Sequence, residues 1–257
     1  MFKDMFNKRK INGKCYVLYC FKYDQNTTIH LFNFLLKYFD EQINMTFKYM
    51  GFYDKHYINN YGKLEVIRNK IEPSKWNEIL NITLDLADMR GSEGEIESKI
   101  RVDFGITRPI EIFVVISNEI KFDFSNFTNQ INTYFKSIYG FSYDVDINFW
   151  PTAYAVTDWD HAKENPSMKW LVKDDLARFS KGCEKLQEGY IRDVYKENVL
   201  SPIHLNRMVN GRKLSEIIVT EDIGSLKSIN EELILWKLND EVLNAARKHS
   251  SLAELKL

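Results

Sequence analysis

Residues 110–117 read IEIFVVIS, and this run decides the fold class. It is eight residues of β-branched, aromatic and aliphatic side chains, the composition and length of a buried strand. A second strand-like run precedes it at 99–105. Ser117-Asn118 follows and predicts a hairpin into a third at 119–124, EIKFDF. Ser125 then offers a helix N-cap, and Phe127, Ile131, Tyr134, Phe135 and Ile138 fall at helical spacing. Gly140 stands where a helix stop needs a left-handed residue. Residues 143–149, SYDVDIN, alternate as a half-buried strand does, and 152–157 extend the sheet beyond Pro151.

Towards the N-terminus the same grammar recurs. CYVLYCFKY at 15–23 predicts a buried strand. Asn26 and two threonines can cap a helix through Ile29, Phe32, Leu35, Leu36 and Phe39. MTFKYMGFY at 45–53 predicts another strand, and 54–62 a polar loop. A helical stretch follows at 63–71, Pro73 interrupts it, and Ser74 caps a second helix over 75–88. The acidic segment 89–98, MRGSEGEIES, with two glycines, is the most loop-like in the chain and the place for a sub-domain break. Towards the C-terminus, 158–185 predicts loop and short helix, and 189–196 a strand. Ser201-Pro202 starts a helix, and short strands follow at 214–220 and 232–237. Asn239 caps a closing helix through Val242, Leu243, Ala246 and Leu252. The fold class is α+β: a mixed, mostly antiparallel sheet flanked by helices. One domain over 1–257 and two similar α+β halves both remain open. No residue-level repeat of fixed period occurs.

Composition narrows the function classes. The 257 residues are 44% hydrophobic and 14% aromatic, with 17 Phe and 14 Tyr, enough for a core without disulfides or metals and against disorder. The net charge is −1, yet residues 1–72 carry about +5 and 85–160 about −7. That lacks the basic excess of a nucleic-acid binder. Three cysteines, Cys15, Cys20 and Cys183, without framework spacing fit a reducing compartment. The apolar run after Lys3, Lys8, Arg9, Lys10 and Lys14 is too short for a signal or a membrane span, so a cytoplasmic location is expected.

Chemistry-bearing motifs are scarce. His30, His56, His161, His204 and His249 include no pair at i+3 or i+4, and no Cys-x-x-Cys occurs, so no metal site is expected. Gly91-Ser92-Glu93-Gly94 lacks the Lys-Ser/Thr ending of a phosphate loop, and its carboxylates would repel phosphate. No dinucleotide fingerprint and no Gly-x-Ser-x-Gly elbow occur, so neither a cofactor nor a catalytic residue is assigned. Cys183 follows Lys181-Gly182, and a neighbouring lysine can lower a thiol pKa. One enzyme-like pattern exists: Asp103 ending one strand, and Glu119-Ile120-Lys121 on a later hairpin strand. Metal-dependent hydrolases or nucleases of the restriction-endonuclease type hold a divalent ion this way. Glu-x-Lys is also common on any solvent-facing strand.

The acidic and aromatic cluster at 144–160 comprises Asp144, Asp146, Trp150, Tyr154, Asp158, Trp159 and Asp160. A core tryptophan and a helix cap explain part of it. A protein interface explains it otherwise, since tryptophan and tyrosine anchor interfaces and carboxylates steer a basic partner.

The layout as a whole resembles the immunity proteins of bacterial polymorphic toxin systems, in particular the immunity protein 52 family. The residues that carry the resemblance are an aromatic first strand (Tyr16, Tyr19, Phe21) before a long helix, and Met50-Gly51-Phe52-Tyr53. Ile110–Ile116 then leads through Ser117-Asn118-Glu119-Ile120 to a helix. Phe149-Trp150-Pro151-Thr152-Ala153-Tyr154-Ala155 stands at a strand end, and Ile223-Gly224-Ser225-Leu226 precedes the last strand and helix. The resemblance implies a single α+β domain encoded beside a secreted toxin, often a nuclease, which it binds and blocks. It implies no catalytic residues and fixes no binding residues. Asp144, Asp146, Tyr154, Asp158, Trp159, Asp160, Glu93 and Glu95 are therefore expected as toxin-binding residues on the local reading alone. A metal-dependent hydrolase using Asp103, Glu119 and Lys121, or an adaptor protein of a secretion system or phage, are the alternatives. The sequence fixes no oligomeric state.

Overall fold

The computed structural model describes residues 12–56, 59–86, 100–105, 110–168, 171 and 173–257. The strands are β1 (Asn12–Cys20), β2 (Tyr49–Asp54), β3 (Asn59–Lys63), β4 (Ile79–Asp85), β5 (Ile100–Gly105), β6 (Ile110–Ser117), β7 (Tyr139–Asp146), β8 (Glu197–Leu200), β9 (Met208–Val209), β10 (Arg212–Lys213), β11 (Ser225–Ser228) and β12 (Ile234–Lys237). The helices are α1 (Thr28–Ile43), α2 (Leu64–Arg68), α3 (Phe124–Ile131), α4 (Trp159–Ala162), α5 (Lys173–Gly182), α6 (Pro202–Leu205), α7 (Leu214–Thr220), α8 (Asp240–Lys248) and α9 (Ser250–Ala253). The chain is α+β. Ten strands form one open sheet in the order β11-β12-β8-β7-β1-β6-β5-β4-β2-β3, and β9 and β10 form a separate ribbon. Every pair in the large sheet is antiparallel.

The central strands are apolar throughout because both faces are covered. On β1, Cys15, Val17 and Tyr19 enter one core, while Tyr16, Leu18 and Cys20 enter the other. The second core is roofed by α1, which buries Leu31, Phe32, Leu35, Tyr38 and Phe39, and by α3. The first core is roofed by the chain beyond β7, including α5, α7, α8 and α9. Helices α1 and α3 thus share one side of one continuous sheet. The segment 89–98 lies outside the described residues, but β4 and β5 on either side of it pair in register from Asn81↔Gly105 to Asp85↔Arg101.

Several local expectations are corrected. Residues 119–122 do not form a hairpin strand; Ile120 N–H donates to Ser117 O (3.0 Å) and the chain turns into α3. The alternation there reflects Phe122 packing on Tyr16 (4.8 Å) and Phe127 (5.3 Å). Asp123, not Ser125, caps α3. Gly140 is no helix stop: it lies in β7, where a Cβ would sit 2.5 Å from Val17 O of β1. The helix expected at 75–88 is a short 3-10 turn, Pro73–Glu78, followed by β4. Ile82 and Leu84 face the second core in alternation with the polar Asn81 and Thr83, and Ile79 reaches the same core across a register shift in the β2–β4 pairing at Tyr53/Asp54. The expected loop at 54–62 includes the start of β3. Residues 214–220 form a helix, because Leu214, Ile217 and Ile218 recur at i, i+3 and i+4 and are all buried. The strand expected at 189–196 is a single bridge, Ile191 to Lys256.

Candidate functional site

β7 ends at Asp146, and residues 147–157 leave the sheet in turns instead of extending it. One buried side chain, Asn165, fastens the start of this excursion. Its Oδ1 accepts from Asp146 N–H (3.1 Å) and Ser167 N–H (3.0 Å), and its Nδ2 donates to Asp146 O (3.0 Å) and Phe149 O (2.6 Å). Two bulky residues inside the loop take left-handed backbone, Trp150 (φ 45°) and Thr157 (φ 62°). Non-glycine residues there are strained and persist only where surrounding contacts over-determine them.

The strain delivers apolar groups to solvent. Trp150 is 56% exposed and Val156 43%. The Trp150 ring rests on the His161 ring at 4.3 Å between centroids. Asp158 caps α4 by accepting from His161 N–H (3.3 Å), and its Oδ2 lies 2.6 Å from His161 Nδ1. That side-chain hydrogen bond holds the Asp158 carboxyl below the usual range. Asp160 pairs with Lys163 (2.7 Å), which likewise lowers the carboxyl and raises the amine.

Beneath the loop lies a tyrosine-rich floor. Tyr143 OH donates to Pro151 O (2.8 Å), and the Tyr154 and Tyr195 hydroxyls meet at 2.5 Å. Burial pushes the pKa values of Tyr143, Tyr154 and Tyr195 up, so all three keep their protons.

The structure therefore brings Trp150, His161 and Asp158 into contact and places Val156 and Asp160 on the same loop. It does not assemble the whole expected cluster. Asp144 belongs to the opposite sheet face: Tyr143 and Val145 enter the first core, while Asp144 stands across from Lys14 in the register and pairs with Lys196 (3.4 Å). Asp146 is buried, and its Oδ1 accepts from Asn148 N–H (3.1 Å). Tyr154 is buried in the floor, so neither it nor Asp146 presents a surface, and Trp159 is half-buried against the first core. Glu93 and Glu95 lie outside the described residues. Trp150 belonged to the sequence cluster but not to its expected binding residues. Val156, His161 and Asn165 carried no motif beyond the Asp-x-x-His spacing of 158 and 161.

Asp103 lies opposite Phe113 in β5–β6 pairing, whereas Glu119 is in the turn after Ser117. Ser117 alone is four residues beyond Phe113, roughly 13 Å along the strand, so the expected Asp103–Glu119–Lys121 grouping is spread out. Among the described residues no three His, Cys, Asp or Glu side chains gather to hold a metal ion. The Cys183 thiol is pushed up, first by burial and then by Glu184, and not lowered by a lysine. On the opposite side of the sheet a groove of about 550 Å³ runs between α1 and α3 over Phe34, Tyr38 and Tyr134. No helix among the described residues is long and apolar enough to cross a membrane.

No family model, curated protein or solved structure matches this chain.

Proposed function

We propose that this protein is a binding protein that docks a partner protein through the 147–165 loop, and that the partner is a bacterial toxin which it neutralises. One observation carries the docking surface: a tryptophan more than half exposed, at positive φ, on a loop pinned by a buried asparagine. Exposed aromatics on rigid supports are what interface hot spots are made of, and strain maintained at the surface points to use. The toxin identity rests on the resemblance of the sequence layout to immunity proteins. A cytoplasmic location and a basic, nuclease-like partner belong to that same reading.

The geometry shifts the weight of recognition from charge to apolar contact. Asp144, Asp158 and Asp160 are each engaged internally, by Lys196, His161 and Lys163. Exposed pairs of this kind add little to stability. On the loop itself, Asp158 and Asp160 set the rim potential and the encounter rate. Co-purification with the product of the neighbouring gene, followed by rescue of cells expressing that product, tests the reading. A stable complex with rescue supports it. The absence of both binding at micromolar concentration and rescue would sink it.

A further inference from the structure

Arg192 is 4% exposed, lying between the sheet and the loop. Its Nη1 donates to Tyr19 OH of β1 (3.3 Å) and to Ala155 O (2.9 Å), and its Nη2 donates to Tyr154 O. The guanidinium is clasped by two rings, Tyr154 at 4.0 Å and Phe179 at 4.1 Å from the ring centroids. Its main-chain N–H donates to Tyr139 OH (3.1 Å). None of these contacts is a carboxylate. The adjacent Asp193 faces Arg247 (3.6 Å) and Lys256 (3.0 Å) instead.

A guanidinium buried among neutral groups is an expensive way to fill space, because desolvation opposes it and an apolar side chain of similar volume packs as well. What it supplies is direction. The planar fork presents donors at fixed angles, and here two of them reach successive carbonyls of a segment that has no sheet ladder to satisfy them. Those carbonyls belong to Tyr154 and Ala155, immediately before the exposed Val156 and the left-handed Thr157. Asn165 fixes the first part of the loop through Asp146 and Phe149. Arg192 fixes the second part to β1 and α5.

We propose that Arg192 is a positioning residue that pre-organises the Trp150–Val156 surface for its partner. This rests on the reading of that surface as the docking site. Pre-organisation lowers the ordering cost of binding without adding a contact. Arg192 itself is too buried to touch the partner.

The test has two independent readouts on Arg192→Lys, which keeps the charge but has no fork. In the free protein, hydrogen exchange at amides 153–162 should quicken at least about tenfold relative to amides of β1 and β6. In binding of the neighbouring gene's product, Kd should rise about tenfold, and that increment should vanish in a Trp150→Ala/Val156→Ala background, because Arg192 acts through the surface that those two side chains form. Loop exchange that changes only in step with the sheet would overturn the proposal, as would an increment that persists without both Trp150 and Val156. Should Arg192→Lys fail to fold, Tyr19→Phe, which removes only the anchor on β1, should quicken exchange at 153–162 by about threefold. Unchanged loop exchange there would overturn it equally. Absence of any partner defeats the docking reading, and the exchange experiment still decides whether Arg192 holds the loop.

Discussion

Replacing Asn165 should unfasten the docking loop and cost the whole protein measurable stability. Asn165→Ala removes four hydrogen bonds at once, those with Asp146 N–H, Asp146 O, Phe149 O and Ser167 N–H. The buried Asp146 N–H loses its acceptor and costs about 1–3 kcal/mol when left unsatisfied; Asp146 O keeps the Phe149 N–H (3.1 Å), so that bond and the two part-buried ones cost about 0.5 kcal/mol each. The sum is about 2.5–4.5 kcal/mol, a drop in Tm of about 5–18 °C for a chain of this size. Asn165→Asp should be worse, because a carboxylate oxygen would replace the amide donor facing Asp146 O and Phe149 O. Urea denaturation at neutral pH reads both, and the transition midpoint should fall with an unchanged slope. A loss below about 1 kcal/mol for alanine, or aspartate tolerated as well as alanine, would refute the claim that this side chain fastens the loop.

Three further expectations follow from the same interior. Gly140→Ala should cost about 1–3 kcal/mol in denaturant melts, since its Cβ would meet the backbone oxygen of Val17, which cannot move without displacing the central strand; wild-type stability would contradict the β1–β7 register. His204 is fully buried, and burial pushes its pKa down from 6.5 to about 4. Between those values the unfolded chain binds the proton that the folded chain excludes, so stability should fall as pH drops from about 6.5 to about 4, by about 3 kcal/mol in all. His204→Gln should lose that component, and an unaltered pH profile would show that His204 is not the group responsible. Calorimetric titration with magnesium and manganese should be flat, whereas saturable heat abolished by Glu119→Gln would favour a metal-dependent hydrolase.

The fold class was legible because β1 and β6 are near-continuous apolar runs of strand length, rich in β-branched and aromatic residues, and the α1 face carries helical spacing. What was not legible has physical causes. Strand β4 follows a proline and a serine that mimic a helix start, and only pairing with β2 and β5 makes ILNITLD a strand. Helix α7 is seven residues long, short enough for its apolar spacing to pass for a strand. Phe122 gave a strand-like alternation that is really aromatic packing across the end of the sheet. At the candidate site, proximity in sequence misled. Alternation sends Asp144 and Tyr143 to opposite faces, and Asp146 and Tyr154 turn inward to build the loop's support. Trp150 could be read as an aromatic beside a proline. Its exposure depends on φ and on Asn165, fifteen residues later, and no local pattern announces either.

The most direct measurement of the central claim is the affinity of the wild-type protein and of Trp150→Ala for the product of the neighbouring gene, by calorimetry. Asp144→Lys, on the other sheet face, serves as the control. Trp150→Ala should keep its fold and lose at least about 2 kcal/mol of binding, about thirtyfold in Kd, while Asp144→Lys binds as the wild type does. Unchanged affinity for Trp150→Ala, or a loss confined to Asp144→Lys, would contradict the placement of the interface on the 147–165 loop.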